Sequence, residues 1–407
     1  MNMNVPLNEQ MDIIRKGTVD LLPEEELAHK IEMSIRLKKP LRVKLGCDPS
    51  KPDLHIGHAV VLHKMREFQD LGHTAVLIIG DFTAMIGDPT GKNKTRPQLT
   101  IEETKINGKT YLEQATKILS DNRLEIRYNS EWLARMNFQN VIHLAANYTI
   151  AQLLERDDFS KRYKSGVPIS VHELLYPLAQ AMDSVAIESD IELGGTDQKF
   201  NLLVGREIQK NHDISPQCIL TMPILEGTDG VDKMSKSLNN YIAMTDVPRE
   251  IFGKAMSIPD NLTVRYYKYG GWASDEEVLE MDEGLKKETL HPRDAKVKMA
   301  KKIVEMYHDK QAADEAFAEF ERMFVKKEMP DEIDEVTLNS DTKQLQLIDV
   351  LVTTKLLQSK KEARRMITQG AVSLDDEKVH DPFSDFDFSD YRLIKVGKRK
   401  FLKVRAE

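Results

Sequence analysis

Short aliphatic runs alternate with longer helical patterns through the first half of the chain. Leu41-Arg-Val-Lys-Leu45 is rich in aliphatic residues and runs into Gly46-Cys47-Asp48-Pro49, a turn signature, so it predicts a strand. A helical stretch follows from about His58 to Leu71. Ala75-Val-Leu-Ile-Ile79 predicts a buried strand ending at Gly80-Asp81, and Leu124-Glu-Ile-Arg-Tyr128 a third strand before Asn129-Ser130. Strands alternating with helices predict a parallel sheet with helices on both faces. Ligands in such sheets sit at the carboxyl ends of the strands, where Asp48, Gly80 and Asn129 fall.

After about Asn240 the pattern changes. Residues 249–326 are helix-rich, with polar turns around Pro259-Asp260 and Gly270-Gly271. The segment from Lys326 to Glu335 is charged, contains Pro330 and lacks clear periodicity, which predicts a linker. A small last domain begins near Leu345, and no internal repeat is visible. The expected divisions are therefore 1–240, 241–326, a linker over 327–343, and 344–407. Within the last, Ser359-Lys-Lys-Glu362 is a capping-box signature, with a helix to about Gln369 and Gly370 at its stop. That helix places Lys361, Arg364 and Arg365 on one face, and short strands and turns follow over Ala371–Leu374, Asp375-Asp376 and Arg392–Val404.

Composition sharpens this picture. A chain of 407 residues can bury several cores without disulfides or structural metals. Cys47 and Cys218 lie far apart and form no CxxC pair, so neither a disulfide framework nor a zinc site is indicated. Residues 1–16 contain no apolar run of signal-peptide length, and nowhere do eighteen apolar residues run together, so a cytoplasmic protein without a membrane span is expected. The net charge of -8 argues against nonspecific coating of DNA or other nucleic acid. From Lys343 to Glu407, however, 14 Lys plus Arg face 10 Asp plus Glu. A basic tail on an acidic body suits a tail that touches phosphate and a body that handles small molecules.

Two segments point to nucleotide chemistry. His55-Ile-Gly-His58 follows the first strand and its Asp-Pro turn, at the expected entrance to a helix, where backbone donors and partial positive charge favour phosphate. Gly57 lets a flat base or ribose approach the backbone. Lys233-Met-Ser-Lys-Ser237, between Gly230 and Asn239-Asn240, predicts a mobile loop whose lysines can wrap a triphosphate. Alone, the histidine pair reads as chance, structural or metal-binding, although no HExxH-type third ligand is near, and the lysines read as a solvated loop. A third segment, Tyr176-Pro-Leu-Ala-Gln-Ala-Met-Asp183, spaces Tyr176, Gln180 and Asp183 at i, i+4, i+7. Apolar Leu175, Leu178, Ala179 and Met182 surround these polar groups, so they line either a pocket or the wet face of an ordinary amphipathic helix. Pro177 starts or bends that helix.

In this order and strand-turn-helix context, the HIGH-type and KMSKS segments resemble class I aminoacyl-tRNA synthetases, whose first-strand turn Gly46, Asp48 and Pro49 also match. Together with Gly194-Gly-Thr-Asp-Gln198 and Ile86-Gly-Asp-Pro89, the Tyr176–Asp183 segment resembles the tyrosine pocket of tyrosyl-tRNA synthetases, better than that of the tryptophanyl enzymes. The resemblance implies an α/β chain: a Rossmann-like catalytic domain, a helical anticodon-side domain and a small α+β S-four-type RNA-binding domain. It implies that His55, His58, Lys233 and Lys236 are catalytic, and that Asp48, Gly57, Gly195, Asp197, Lys233 and Lys236 hold ATP, with Mg2+ on the phosphates. Asp183 would accept a hydrogen bond from the substrate phenol, Tyr176, Gln180 and Asp88 would hold the amino group, and Gln198 would lie along the substrate. A carboxylate facing a phenol rejects phenylalanine, which would leave it unpaired, so no editing domain is expected. Lys360, Lys361, Arg364, Arg365, Lys398 and Arg399 are the candidates for contact with tRNA(Tyr). The family usually forms homodimers, with the helical Tyr148–Phe159 region a candidate interface. Many bacterial members carry a tyrosine where this chain has Lys44, and an intact KMSKS with Lys44 resembles a separate bacterial subgroup. Two other classes fit parts of the pattern: another HIGH-type nucleotidyltransferase, and a noncatalytic RNA-binding descendant of a synthetase.

Overall fold

A computed structural model describes residues 5–49, 53–89, 101–323, 333–339, 343–397 and 400–407. These fall into two compact units, Met1–Ala313 and Asp314–Glu407.

The first unit is organised by a six-stranded sheet: β1 (Asp20–Leu22), β2 (Arg42–Cys47), β3 (Thr74–Ile79), β4 (Leu124–Tyr128), β5 (Ile191–Gly195) and β6 (Cys218–Met222). Their spatial order is β1-β6-β5-β2-β3-β4. All neighbouring pairs are parallel except β1 with β6. The strands expected from the aliphatic runs are β2, β3 and β4, within one or two residues at either end. The chain moves outward from β2 through β3 to β4, then returns to the other side of β2 with β5. The sheet therefore reverses direction at β2, and a crevice opens beyond the carboxyl ends of β2, β3 and β5. Val43, Val76, Ile78, Ile191 and Ile219 are fully buried, as expected of strands covered on both faces.

Three helices position the crevice. Ile56–Asp70 follows β2 and buries Ile56, Val60, Met65 and Phe68. Val171–Ala186 precedes β5 and packs heavily on Lys199–Asn211, which follows it. Leu178 and Ala181 of the former share an apolar cluster with Val204 and Ile208 of the latter. Pro177 lies inside its helix and does not start it; Ser170, seven residues earlier, forms the capping box with Glu173. Beyond the sheet, Pro248–Ser257, Thr263–Tyr269, Asp275–Lys286 and Pro292–Tyr307 supply the expected helix-rich region. The Tyr148–Phe159 region is helical as expected, comprising Ile150–Leu153 and the start of Asp157–Lys164. The break between them falls at Arg156, whose guanidinium is turned inward and buried.

The second unit holds β7 (Glu335–Leu338), β8 (Gln344–Gln346), β9 (Val372–Leu374), β10 (Glu377–Lys378), β11 (Asp385–Asp387), β12 (Arg392–Val396) and β13 (Lys400–Ala406). Its five-stranded sheet runs β10-β9-β12-β13-β7, and β8 pairs with β11. Helices Leu347–Thr353 and Lys360–Thr368 complete a core of Leu347, Leu351, Ile367, Phe388, Ile394 and Val404. Strand β7 lies inside the stretch read as linker. Its alternating Val336 and Leu338 pack on this core while the strand pairs with β13, a period-two pattern too short to stand out among charged neighbours. Ser359 caps its helix as expected, accepting from the Glu362 amide at 3.2 Å. Glu362, however, accepts from Gln358 instead of closing the box on Ser359.

Candidate active site

One cavity of about 650 Å³ occupies the crevice. It is lined by Asp48, His55, Gly57, His58, Asp88, Tyr176, Gln180, Asp183, Gly195, Asp197, Gln198, Lys233 and Lys236. Every residue expected to meet ATP or tyrosine is thus brought to one space, from segments separated by up to 188 positions in the case of Asp48 and Lys236.

At the nucleotide end, His55 caps the helix Ile56–Asp70. Its backbone N–H donates to His58 Nδ1 at 3.3 Å, and the two rings lie 3.8 Å apart. Burial, the nearby histidine and the cations Lys236 and Lys233 hold the His55 imidazole well below its ordinary range. Burial first, then the same lysines, brings His58 down to about 3. Both rings are therefore neutral at pH 7, and because Nδ1 of His58 accepts, its proton sits on Nε2. His55 Nδ1 is buried with no partner among the described residues. A side chain at Gly57 would meet that ring at 3.0 Å, which explains the glycine. Lys233 pairs with Asp197 at 2.8 Å, and Lys236 stands 5.4 Å over the Tyr111 ring. The KMSKS segment is further braced by Asn240, which accepts from the Ser235 amide at 2.8 Å and donates to Asp229 at 2.6 Å. Cys47, beside Asp48, is pushed up to about 12 by burial and stays a thiol.

Between the ends stands Asp48. Its Oδ1 accepts from Thr83 at 2.7 Å and its Oδ2 from the Tyr176 hydroxyl at 2.9 Å. Gly80 is required here because a Cβ would land on Asp48 and Thr83. Burial and then Asp48 raise Tyr176 well above the usual phenol range, so it remains a donor.

At the far end, the helix Val171–Ala186 presents Tyr176, Gln180 and Asp183 to the cavity, as their spacing predicts. Asp183 is buried and accepts from Trp132 Nε1 at 2.9 Å and Asn129 Nδ2 at 3.4 Å. Burial pushes its carboxyl up to about 7, while the Lys44 charge and these donors pull the other way. Asp88 meets Arg156 at 3.3 Å and accepts from Gln198 Nε2 at 2.9 Å. Arg156 also reaches Asp158 at 2.9 Å and Asn201 at 3.2 Å. Lys44, the departure noted in the sequence, is fully buried and paired with Glu192 at 2.8 Å. Trp132, Arg156 and Glu192 escaped sequence reasoning. Each is distant in sequence from its partner and sits in no motif; only the register of β2 against β5 sets Lys44 opposite Glu192.

In the second unit, Lys360, Lys361, Arg364 and Arg365 are all exposed on or beside the helix Lys360–Thr368. Lys360 pairs with Asp349, and Arg364 stacks 5.0 Å over Phe383. Lys398 and Arg399 lie outside the described residues.

Comparison with known proteins gives a consistent identity. Residues 36–325 match the family model of class I tRNA synthetases for tryptophan and tyrosine, and residues 320–404 match the C-terminal domain model of tyrosine–tRNA ligases. The tyrosine–tRNA ligase of Salinibacter ruber is 51% identical over 403 residues, covering 98% of this chain and 97% of its own. That of Thermotoga maritima is 52% identical over 396 residues, covering 97% of each. The tyrosyl-tRNA synthetase of Archaeoglobus fulgidus, solved with L-tyrosine, shares the fold with a TM-score of 0.64 at 24% identity, over 76% of this chain and 99% of its own. That of Aeropyrum pernix does so at 0.63 and 20%, over 77% and 98%. The chain belongs to the tyrosine–tRNA ligases, within the class I aminoacyl-tRNA synthetases.

Proposed function

We propose that this ligase activates tyrosine with ATP in the cavity described above and then passes the tyrosyl group to the terminal ribose of tRNA(Tyr). The observation that carries the reading is that a cationic, imidazole-lined end and a carboxylate-lined end share one space. In the first step the tyrosine carboxylate oxygen attacks the α-phosphorus of ATP, and the bond to the bridging oxygen of pyrophosphate breaks. Lys233, Lys236 and the Nε2–H of His58 meet the negative charge that grows on the α-phosphate and the leaving group, and His55 stands beside them. Gly195 and Asp197 face the ribose, and Gly57 admits the nucleotide to the helix N-terminus. Asp183 accepts from the phenol, Tyr176, Gln180 and Asp88 hold the ammonium, and Gln198, which donates to Asp88, lies along the substrate. Asp48 anchors Tyr176 and reaches the junction between the two ends.

Among the described residues no group of three or more His, Cys, Asp and Glu side chains could hold a metal ion. Magnesium would enter with the ATP phosphates as part of the substrate, and each step above rests on the chain's own groups.

Residues 1–240 would carry catalysis, 241–326 the anticodon side, and 344–407, with β7 added and 327–343 leading in, the grip on RNA through Lys360, Lys361, Arg364, Arg365, Lys398 and Arg399. A homodimer is supported by large apolar side chains left exposed around the Tyr148–Phe159 region: Phe138, Ile142, Ile150, Tyr163 and Val171. Among the described residues no helix is long and apolar enough to cross a membrane. The test is ATP–pyrophosphate exchange across the twenty amino acids. Exchange with tyrosine alone is expected; exchange with tryptophan would overturn the pocket, and none at all would favour a noncatalytic RNA-binding protein.

A further inference from the structure

Lys44 and Glu192 face each other across β2 and β5 at a position where a buried ion pair is costly and has no obvious structural purpose. Both side chains are essentially inaccessible. The Lys44 ammonium has three acceptors: Glu192 Oε1 at 2.8 Å, Ser184 Oγ at 2.8 Å and the Gln180 carbonyl at 3.1 Å. The Glu192 carboxylate is equally saturated. Oε1 takes Lys44 and Gln180 Nε2 at 3.1 Å, while Oε2 takes Ser184 Oγ at 3.1 Å and the Gln217 amide. Two of these contacts fall on Gln180, one on its backbone and one on its side chain, and Gln180 lines the cavity while Glu192 and Lys44 do not.

The Gln180 amide turns its nitrogen toward the Glu192 carboxylate, using one of its two N–H donors, and so carries its oxygen on the opposite side of the amide plane. Glu192 therefore decides which end of the Gln180 amide faces the ligand. We propose that the Lys44–Glu192 pair is a positioning device for amino-acid recognition: Glu192 fixes Gln180 with Oε1 toward the cavity, as an acceptor for the substrate ammonium, and Lys44 makes that buried carboxylate tolerable. Without Glu192 the amide is free to rotate and present N–H donors to a cation, which repel it. The inference rests on the reading that Gln180 meets the substrate amino group. It gives Lys44 a role that a tyrosine at that position could not fill, since a phenol cannot neutralise a buried carboxylate.

The test compares ligands that differ only at the amino group. Competition with tyrosine in the exchange reaction is measured for tyramine, which keeps the amine, and for 3-(4-hydroxyphenyl)propionate, which lacks it. In Glu192→Gln the tyrosine KM should rise about tenfold with kcat and the ATP KM within about twofold, because the loss is in ground-state binding. Tyramine should weaken in parallel while the amine-free acid binds as before. The double variant Lys44→Met/Glu192→Gln removes both charges together and should show the same selective loss even if either single variant folds poorly. The exchanged pair Gln180→Glu/Glu192→Gln, which returns a carboxylate oxygen to the ammonium, should recover most of the tyrosine affinity. Equal weakening of tyramine and the amine-free acid in folded Glu192→Gln would overturn the inference and leave the pair a packing feature. Gln180→Ala separates the two levels: if it too leaves the amine preference intact, the assignment of Gln180 to the ammonium fails, and if it alone abolishes the preference, only the role of Glu192 fails.

Discussion

At one end of the cavity Lys233 is nearly half exposed and paired with Asp197; behind the wall of the other end Lys44 is fully buried among Glu192, Ser184 and the Gln180 carbonyl. The carboxylates differ in the same way. Asp197 keeps a partly exposed cation beside it, whereas Asp183 is sealed among Trp132 and Asn129, and Asp88 is held by Arg156 and Gln198. On the proposed reading the contrast follows from what each end must do. Charge builds on the phosphates and departs with pyrophosphate, so cations there must be able to leave one partner for another, and an exposed pair with little net stability allows it. Discrimination between similar amino acids instead needs polar groups that cannot relax around the wrong ligand, and a saturated buried network provides that.

The largest effect should come from breaking the exposed end. Lys233→Ala is expected to slow tyrosine-dependent exchange by ~10²–10³-fold, the scale of one lost transition-state donor. Equilibrium binding of tyrosine alone should be unchanged; a parallel loss of tyrosine affinity would mean the two ends do not act separately. Next, replacing Lys361, Arg364 and Arg365 together by Ala should reduce tRNA charging by ~10–100-fold at moderate salt, since on the proposed reading these three cations meet RNA phosphates. Exchange should be spared, and equal damage to both steps would indicate a folding defect. The smallest effect sharpens the buried end. Burial raises the Asp183 carboxyl to about 7, so below that pH it takes up a proton and ceases to be an ionised acceptor. kcat/KM for tyrosine should therefore fall by about tenfold per pH unit as pH drops below 7. The variant Asp183→Asn, with nothing to titrate there, should lack that limb; a limb that survives the substitution belongs to another group.

The same contrast explains what could be read along the chain. His55, Gly57 and His58 lie at one helix N-terminus and Lys233 and Lys236 in one short segment, so local order alone marks them as candidates. Tyr176, Gln180 and Asp183 were visible through helical spacing, because one helix carries all three. Their partners were not. Trp132 lies 51 residues from Asp183, and Arg156 lies 68 from Asp88, so only the assembled sheet and helices bring them together. Lys44 stood out only as a departure from a family habit, because its meaning depends on strand register with Glu192. Strands β5 and β6 were likewise missed: β5 runs into the Gly194-Gly195 motif, and its short apolar stretch carried no separate signal. Strand β7 carries a linker-like sequence because its two core-facing residues, Val336 and Leu338, are flanked by charge.

The central claim is that a buried carboxylate at Asp183, aimed at the phenol, sets the choice of amino acid. It is tested most directly by exchange kinetics of the native chain and Asp183→Asn with tyrosine and phenylalanine. Phenylalanine would withhold the phenol donor from a buried carboxylate that keeps only Trp132 and Asn129. A missing partner for a buried polar group costs about 1–3 kcal/mol, so the tyrosine-to-phenylalanine ratio of kcat/KM should fall by roughly 5- to 150-fold in the variant. An unchanged ratio, in a variant that still folds and still exchanges with tyrosine, would contradict the account.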